Sequence, residues 1–404
     1  MSSLPDVYIG ESVLVHRNLQ IFLGGRPSKH SLFSNNRETI MSKSSVPKTK
    51  HDAKVGGHPL NATLGNNALM SGITPPSDST PNTIESLVPI IAGTTGATGA
   101  ERVAAISELG NLLQKNKTTD KASSGDKRQA RGIFCLLSLI EKDTDVTLML
   151  HAIGVLSRIK AYSGVSVIID VALAIRVQVY ENSDSARFIE SDDSLRLRSA
   201  AAQALGKLGD ERAIVPLMSI LNDKKENYRL RLACAEALGK LGNIQAVTPL
   251  VDILNDEREK SVYLKESAAK ALGMLGDIRA LEPLLDVLES KRGILDKFNF
   301  LKEQVVEAIG RIGGRSTKAT SSLLRVLKDE SSSIRLAAVE ALSNLGDPSV
   351  LDSLQELIFD HDDDVALATV SAVYHLGGEP AVRELLEKDN LPQFVRDELE
   401  SYIP

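Results

Sequence analysis

The sequence predicts an all-α fold, an α-solenoid of stacked helix pairs behind a disordered leader, and three observations carry that prediction. "ALGKLG" stands at 204–209 and returns letter for letter at 237–242. Related stretches continue the series: "AQALGKLGD" ends at Asp210, "AEALGKLGN" at Asn243, "AKALGMLGD" at Asp277, "VEAIGRIGG" at Gly314, "VEALSNLGD" at Asp347 and "VSAVYHLGG" at Gly378, at intervals of 33, 34, 37, 33 and 31 residues. A fixed period in this range marks stacked supersecondary units. Third, the chain has no Trp and 4% aromatics within a hydrophobic content of 42%. Its core must therefore be built from Ala, Leu, Val and Ile, a mixture that suits helices packed through small residues.

Residues 1–83 are rich in Ser, Asn, Gly, Pro, Thr and Lys, as in "TPPSDSTPN", without sustained hydrophobic periodicity, and read as a disordered leader. Helices are expected to begin between Thr83 and Glu101. Two weaker copies of the motif, ending at Gly110 and Ser157, open a repeat region that extends to residue 390. Each unit reads as two helices. The first carries Ala and Leu at helical spacing, as at Leu197, Ala201, Ala204 and Leu208, and stops at a glycine. The second is "AIVPLMSILND" and its copies, with Pro216, Pro249 and Pro283 in one register. Proline is tolerated near a helix start, so these helices should begin close to Ala213, Ala246 and Ala280.

The two glycines of the motif need separate explanations. Gly209, Gly242, Gly276, Gly313, Gly346 and Gly377 are expected to be left-handed helix ends. Gly206, Gly239, Gly273 and Gly310 lie within the helix, where glycine costs about 1 kcal/mol relative to alanine. Such a repeated cost predicts that a partner helix crosses against the backbone there. Beside the motif run the cations Arg198, Arg231, Lys265, Lys302 and Arg335 and the capping acceptors Asp210, Asn243, Asp277 and Asp347. Both rows are expected to form hydrogen-bonded ladders between neighbouring repeats. Longer connections near 176–194, 256–264 and 289–302 read as inserted loops. Residues 391–404, with Leu391, Phe394, Val395, Leu399 and Ile403 on one helical side, read as a capping helix.

Charge and cysteine usage narrow the function. Residues 1–83 hold eight Lys and Arg against five Asp and Glu, a net of +3, leaving −9 for the remainder of a chain whose total is −6. An acidic body argues against capture of nucleic acid. Cys135 and Cys234 stand far apart in apolar segments, which suits buried thiols in a cytoplasmic or other reducing compartment. Organelle targeting by the leader stays open. The most apolar run, "VSVIIDVALAI", is short and contains Asp170, so no transmembrane helix is expected.

The pattern "R..AA.ALG.LGD..A..PL...L.D", seen from Leu195 to Asp360, resembles the short HEAT-like repeats of phycobilin lyase subunits. Ankyrin and TPR signatures are missing. The same repeat class resembles deoxyhypusine hydroxylase, in which the resemblance implies an iron site built from His-Glu dipeptides; none of the seven histidines here is followed by Glu. No catalytic residue, metal site or cofactor is therefore expected.

What remains is surface. The second helices display a broken acidic stripe containing Asp252, Glu282 and Asp286, interrupted by Arg325. The inserted loops place Phe188, Tyr228, Tyr263, Phe298 and Phe300 at or before successive first helices, as an aromatic edge or as staples beneath the helix starts. The expectation is a non-catalytic scaffold, adaptor or assembly factor that binds a protein partner and can pair with a different chain. The alternative, implied by the resemblance, is a bilin lyase-like chaperone acting on a phycobiliprotein.

Overall fold

The computed structural model describes residues 83–116, 125–173, 177–180, 187–290 and 298–403, which belong to one unit of the chain, Ser77–Pro404. The expected leader lies outside the described residues except for Thr83. The first described helix, α1 (Ile84–Ile91), starts where Thr83 and Ser86 form a reciprocal capping box. There follow α2 (Gly99–Asn116), α3 (Gly125–Lys142), α4 (Val146–Arg158) and α5 (Val165–Leu173).

The periodic region then alternates longer and shorter helices. The first helices are α6 (Asp192–Leu208), α8 (Tyr228–Leu241), α10 (Val262–Leu275), α12 (Asn299–Ile312) and α14 (Ser332–Leu345). The second helices are α7 (Ile214–Asn222), α9 (Val247–Asn255), α11 (Leu281–Glu289), α13 (Thr317–Val326) and α15 (Leu351–Gln355). Starts at Ile214, Val247 and Leu281 follow directly on the 3-10 turns that end at Ala213, Ala246 and Ala280. Each first helix packs on the next first helix and on the second helix of the repeat before it, the stacking of an α-solenoid. The expected loop at 176–194 is in part an antiparallel hairpin, with β1 (Val177–Tyr180) paired to β2 (Arg187–Glu190).

The interior glycines mark where consecutive first helices meet. A Cβ placed on Gly206 would lie 2.7 Å from the Cα of Ala237, on Gly239 2.9 Å from Ala271, on Gly273 3.1 Å from Ala308, and on Gly310 2.5 Å from Ala341. The crossing partner is thus the first helix of the following repeat, and a glycine fits against an alanine at every step. The rule stops short of the weaker copies. Gly154 has nothing within 4 Å of such a Cβ, and Gly110, at the end of the first weak copy, lies inside α2 against Val155 and Arg158 of α4.

The terminal glycines behave as expected in four repeats: Gly209, Gly242, Gly276 and Gly346 take φ of 76°, 72°, 65° and 68°. Gly313 does not. It is right-handed at φ −63°, although it donates its N–H to Ile309 just as Gly209, Gly242 and Gly276 donate four residues back, and Gly314 turns left-handed instead at 47°. Gly377 is displaced in the same way, with Gly378 at φ 65° splitting α16 (Asp363–Leu386) into two segments. In both copies a doubled glycine allows the turn to slip by one residue. After α16, α17 (Gln393–Ser401) buries Val395 and Leu399, while Leu391, Phe394 and Ile403 pack against the same core and Tyr402 stacks on Tyr374 at 4.5 Å.

Candidate functional site

Two ladders frame the surfaces of the array. The cation row is an inter-repeat clamp. Arg198 is 2% exposed; its Nε donates to the carbonyl of Ala172 at the end of α5, and its two terminal nitrogens grip both oxygens of Glu226 in the next connection at 2.6 and 3.1 Å. Arg231 repeats this on Leu221 and Glu259, at 2.9 and 2.6 Å. Lys265 donates to the carbonyls of Leu254 and Asp256, Lys302 pairs with Asp329, and Arg335 grips Asp360. The three arginines thus fasten a first helix to the chain on either side of it, while Lys265 reaches back and Lys302 forward. The acidic partners sit 25–28 residues downstream, a spacing uneven enough to hide them from repeat alignment.

The second row differs from expectation. Asp210, Asn243, Asp277 and Asp347 cap their own 3-10 turns, accepting from the backbone N–H two residues on, and do not bond to the equivalent residue of a neighbour. The link to the preceding repeat comes from the paired arginine: Arg212 reaches the carbonyl of Tyr162 at 3.0 Å and Arg279 that of Ile244 at 3.2 Å. Hydrogen bonds from the Arg279 side chain and backbone hold the Asp277 carboxyl down at about 2.

The acidic stripe on the second helices is exposed at Asp252, Glu282 and Asp286, but it is partly neutralised. Lys318 pairs with Glu282 across the α11–α13 boundary, and Arg325 pairs with Glu289 at 2.5 Å. The aromatic edge is mixed. Tyr228 and Tyr263 are 42% and 44% exposed. Phe298 and Phe300 are half-buried against the core. Phe300 stacks on Tyr263 at 5.3 Å and meets Phe298 edge-on at 5.7 Å, forming a three-ring wedge between the starts of α10 and α12. Phe188 lies in β2 opposite Val179, and its backbone pairing is all that is described.

A surface absent from the sequence reading runs along the first helices. Residues spaced by three and four share one helical face, here Arg196, Ser199 and Gln203 on α6, then Arg229, Leu232 and Glu236 on α8. All of these but Glu236 border a cleft of about 550 Å³ that also includes Asp192 and Leu195. The same face carries Tyr263, Glu266 and Lys270 on α10, Phe300, Glu303 and Glu307 on α12, and Ser333, Leu336 and Glu340 on α14. Burial raises the Glu266 carboxyl, with Lys270 opposing and Glu236 and Glu303 adding to the rise. Burial also raises Glu303, reinforced by Glu307 and Glu340 and opposed by a hydrogen bond from Ser333.

Among the described residues no cluster of His, Cys, Asp and Glu has metal-binding geometry, and no helix is long and apolar enough to cross a membrane. Cys234 is fully buried, which pushes its thiol up to about 12, and Cys135 is buried and raised as well. Neither is a poised nucleophile.

Residues 186–263, 224–296 and 294–374 match HEAT repeats as a family. No curated protein matches the chain. Among solved structures it is similar to the complex of CpcE and CpcF of phycocyanin lyase from Nostoc sp. PCC7120, at 24% identity over 56% of this chain and 100% of that one, with a TM-score of 0.37. It is similar to an archaeal HEAT-like repeats protein from Thermococcus onnurineus NA1, at 15% identity over 51% and 94%, TM-score 0.34. It also resembles Kap95p as bound to RanGDP, at 13% identity over 80% and 46%, TM-score 0.48. At these identities none carries an activity across.

Proposed function

We propose that this chain, a HEAT-like repeat α-solenoid, is a non-catalytic scaffold or assembly factor that binds a protein partner along its first-helix side. The observation that carries this reading is the pair Tyr228 and Tyr263, large rings left 42% and 44% exposed at the starts of successive first helices in a chain with few aromatics. Exposed tyrosines beside a half-buried wedge are the usual anchors of a partner, because they offer large area at low entropic cost.

The test is affinity capture with the intact chain, compared with a Tyr228→Ala, Tyr263→Ala variant that leaves Phe298 and Phe300 in place. Captured partners should be lost from the variant. Its stability should fall only by the stacking lost from Phe300, about 0.5–1.5 kcal/mol. Partners retained in full by a folded variant would remove the tyrosines from the binding surface. The finer alternative of a bilin-handling chaperone is read from the same experiment, since it requires phycobiliproteins among the captured chains.

A further inference from the structure

The first-helix face changes character along its length. Its early part holds two arginines, Arg196 and Arg229, beside a cleft floored by Leu195 and Leu232, with Asp192 as the single acid of the lining. Arg196 pairs with the exposed Asp193 at 3.3 Å, and the Arg229 guanidinium lies 6.0 Å from the ring centre of Tyr228 and donates to its hydroxyl at 3.5 Å. In the middle stands the Tyr263–Phe300 stack. Beyond it come Glu303, Glu307 and Glu340, whose mutual repulsion is partly offset by Arg311 on Glu307 and the Ser333 hydroxyl on Glu303. Between two of these acids Gln304 donates to Glu307 and leaves its Oε1 without a partner. A cationic cleft, an aromatic step beside the Glu266 and Lys270 pair, and a row of under-neutralised acceptors therefore follow one another along this face.

We propose that this face is a docking track for an extended, charge-segregated segment of a protein partner. Its acidic residues sit over Arg196 and Arg229, an aromatic or aliphatic residue lies over Tyr263 and Phe300, and its lysines or arginines lie over Glu303, Glu307 and Glu340. The proposal deepens the scaffold reading and rests on it.

The dimensions agree. Packed helix axes lie about 8–10 Å apart and an extended chain rises about 3.3 Å per residue, so each helix is crossed by roughly three residues. A segment of about a dozen residues thus spans α6 to α14. Cationic side chains would relieve the repulsion that, after burial, raises Glu303, and would supply donors where acceptors are in excess. Charge order thereby becomes the basis of selection, since a segment with the wrong order sets like charges against each other at both ends.

The experiment uses the full chain and two labelled synthetic peptides of identical composition, followed by fluorescence anisotropy. One has acidic residues at one end, a central phenylalanine and basic residues at the other; in the second the charges alternate. The segregated peptide should bind at least about tenfold more tightly. Arg196→Gln with Arg229→Gln, and separately Glu303→Gln with Glu340→Gln, should each bring that preference close to unity while circular dichroism is unchanged. Should a double variant unfold, Arg196→Gln and Glu340→Gln alone, both at exposed positions, give the same reading. Equal affinity for the two peptides, a preference that survives the variants, or no binding of either peptide overturns the proposal. If the peptides fail while captured partners still depend on Tyr228 and Tyr263, the track is wrong and the scaffold reading stands. If capture does not depend on the tyrosines, the scaffold reading fails independently of the peptide result.

Discussion

Gly310 and Gly154 occupy the same register of the repeat, yet a methyl group added to the first would press on the Cα of Ala341 at 2.5 Å and one added to the second would meet nothing within 4 Å. Gly310→Ala should therefore destabilise the protein by about 1–3 kcal/mol through overpacking. Gly154→Ala should stabilise it by about 0.5–1 kcal/mol, as expected for an unneeded helical glycine. Urea unfolding of the two variants decides this. A second residue-scale prediction concerns Glu303. Because its carboxyl is raised in the folded state, it holds its proton more tightly there than in the unfolded chain. Its effect on stability is therefore most favourable below the ordinary glutamate value of about 4.3 and is lost as pH rises through the folded value. Glu303→Gln should thus raise stability at neutral pH, with the gain vanishing in acid; equal gains at both extremes in pH-dependent unfolding would refute the sign. At this scale the sequence showed which glycines were costly. It did not show which residue of a doubled glycine turns left-handed, because neither glycine carries a Cβ and either can take that conformation.

The clamps belong to the scale of the element. Arg198→Ala would leave Glu226, whose side chain is 13% exposed, and the carbonyl of Ala172 without their cation, at a cost of about 3–5 kcal/mol. Arg196→Ala, two residues earlier, breaks an exposed pair and should cost no more than about 1 kcal/mol. Chemical denaturation of the two variants should separate them clearly; similar losses would mean that the buried ion pair contributes little. Helix starts, the proline register and the cation row were all legible, because each repeats at the period of the array. The acids that complete the clamps were not, since Glu226, Glu259, Asp329 and Asp360 lie in connections of unequal length. Nor was the first-helix track, whose character emerges only when residues from five helices are set side by side.

For the whole molecule, a stack whose units touch only their neighbours unfolds from its ends. Deleting residues 391–404 exposes the core beneath Val395 and Leu399, each large side chain contributing roughly 1.5–3 kcal/mol. Amide exchange should then accelerate first around Leu376 and leave α6 to α10 protected; unchanged protection near Leu376 would show that α17 is not the cap. The solenoid itself was readable from periodicity and composition, whereas the hairpin at 177–190 was not, because an insertion owes nothing to the period that surrounds it. The glycine-on-alanine contact has one more consequence. Gly206 and Gly239 each require only that an alanine of the next first helix arrive opposite them, and Ala237 and Ala271 serve alike. Removing residues 210–242 as a block would bring Ala271 opposite Gly206 and Glu259 opposite Arg198, so the junction speaks the same grammar as the one it replaces. Length is thus a variable that this chain can change by whole words without rewriting a sentence, and the reach of its binding face is open to alteration in steps of one repeat.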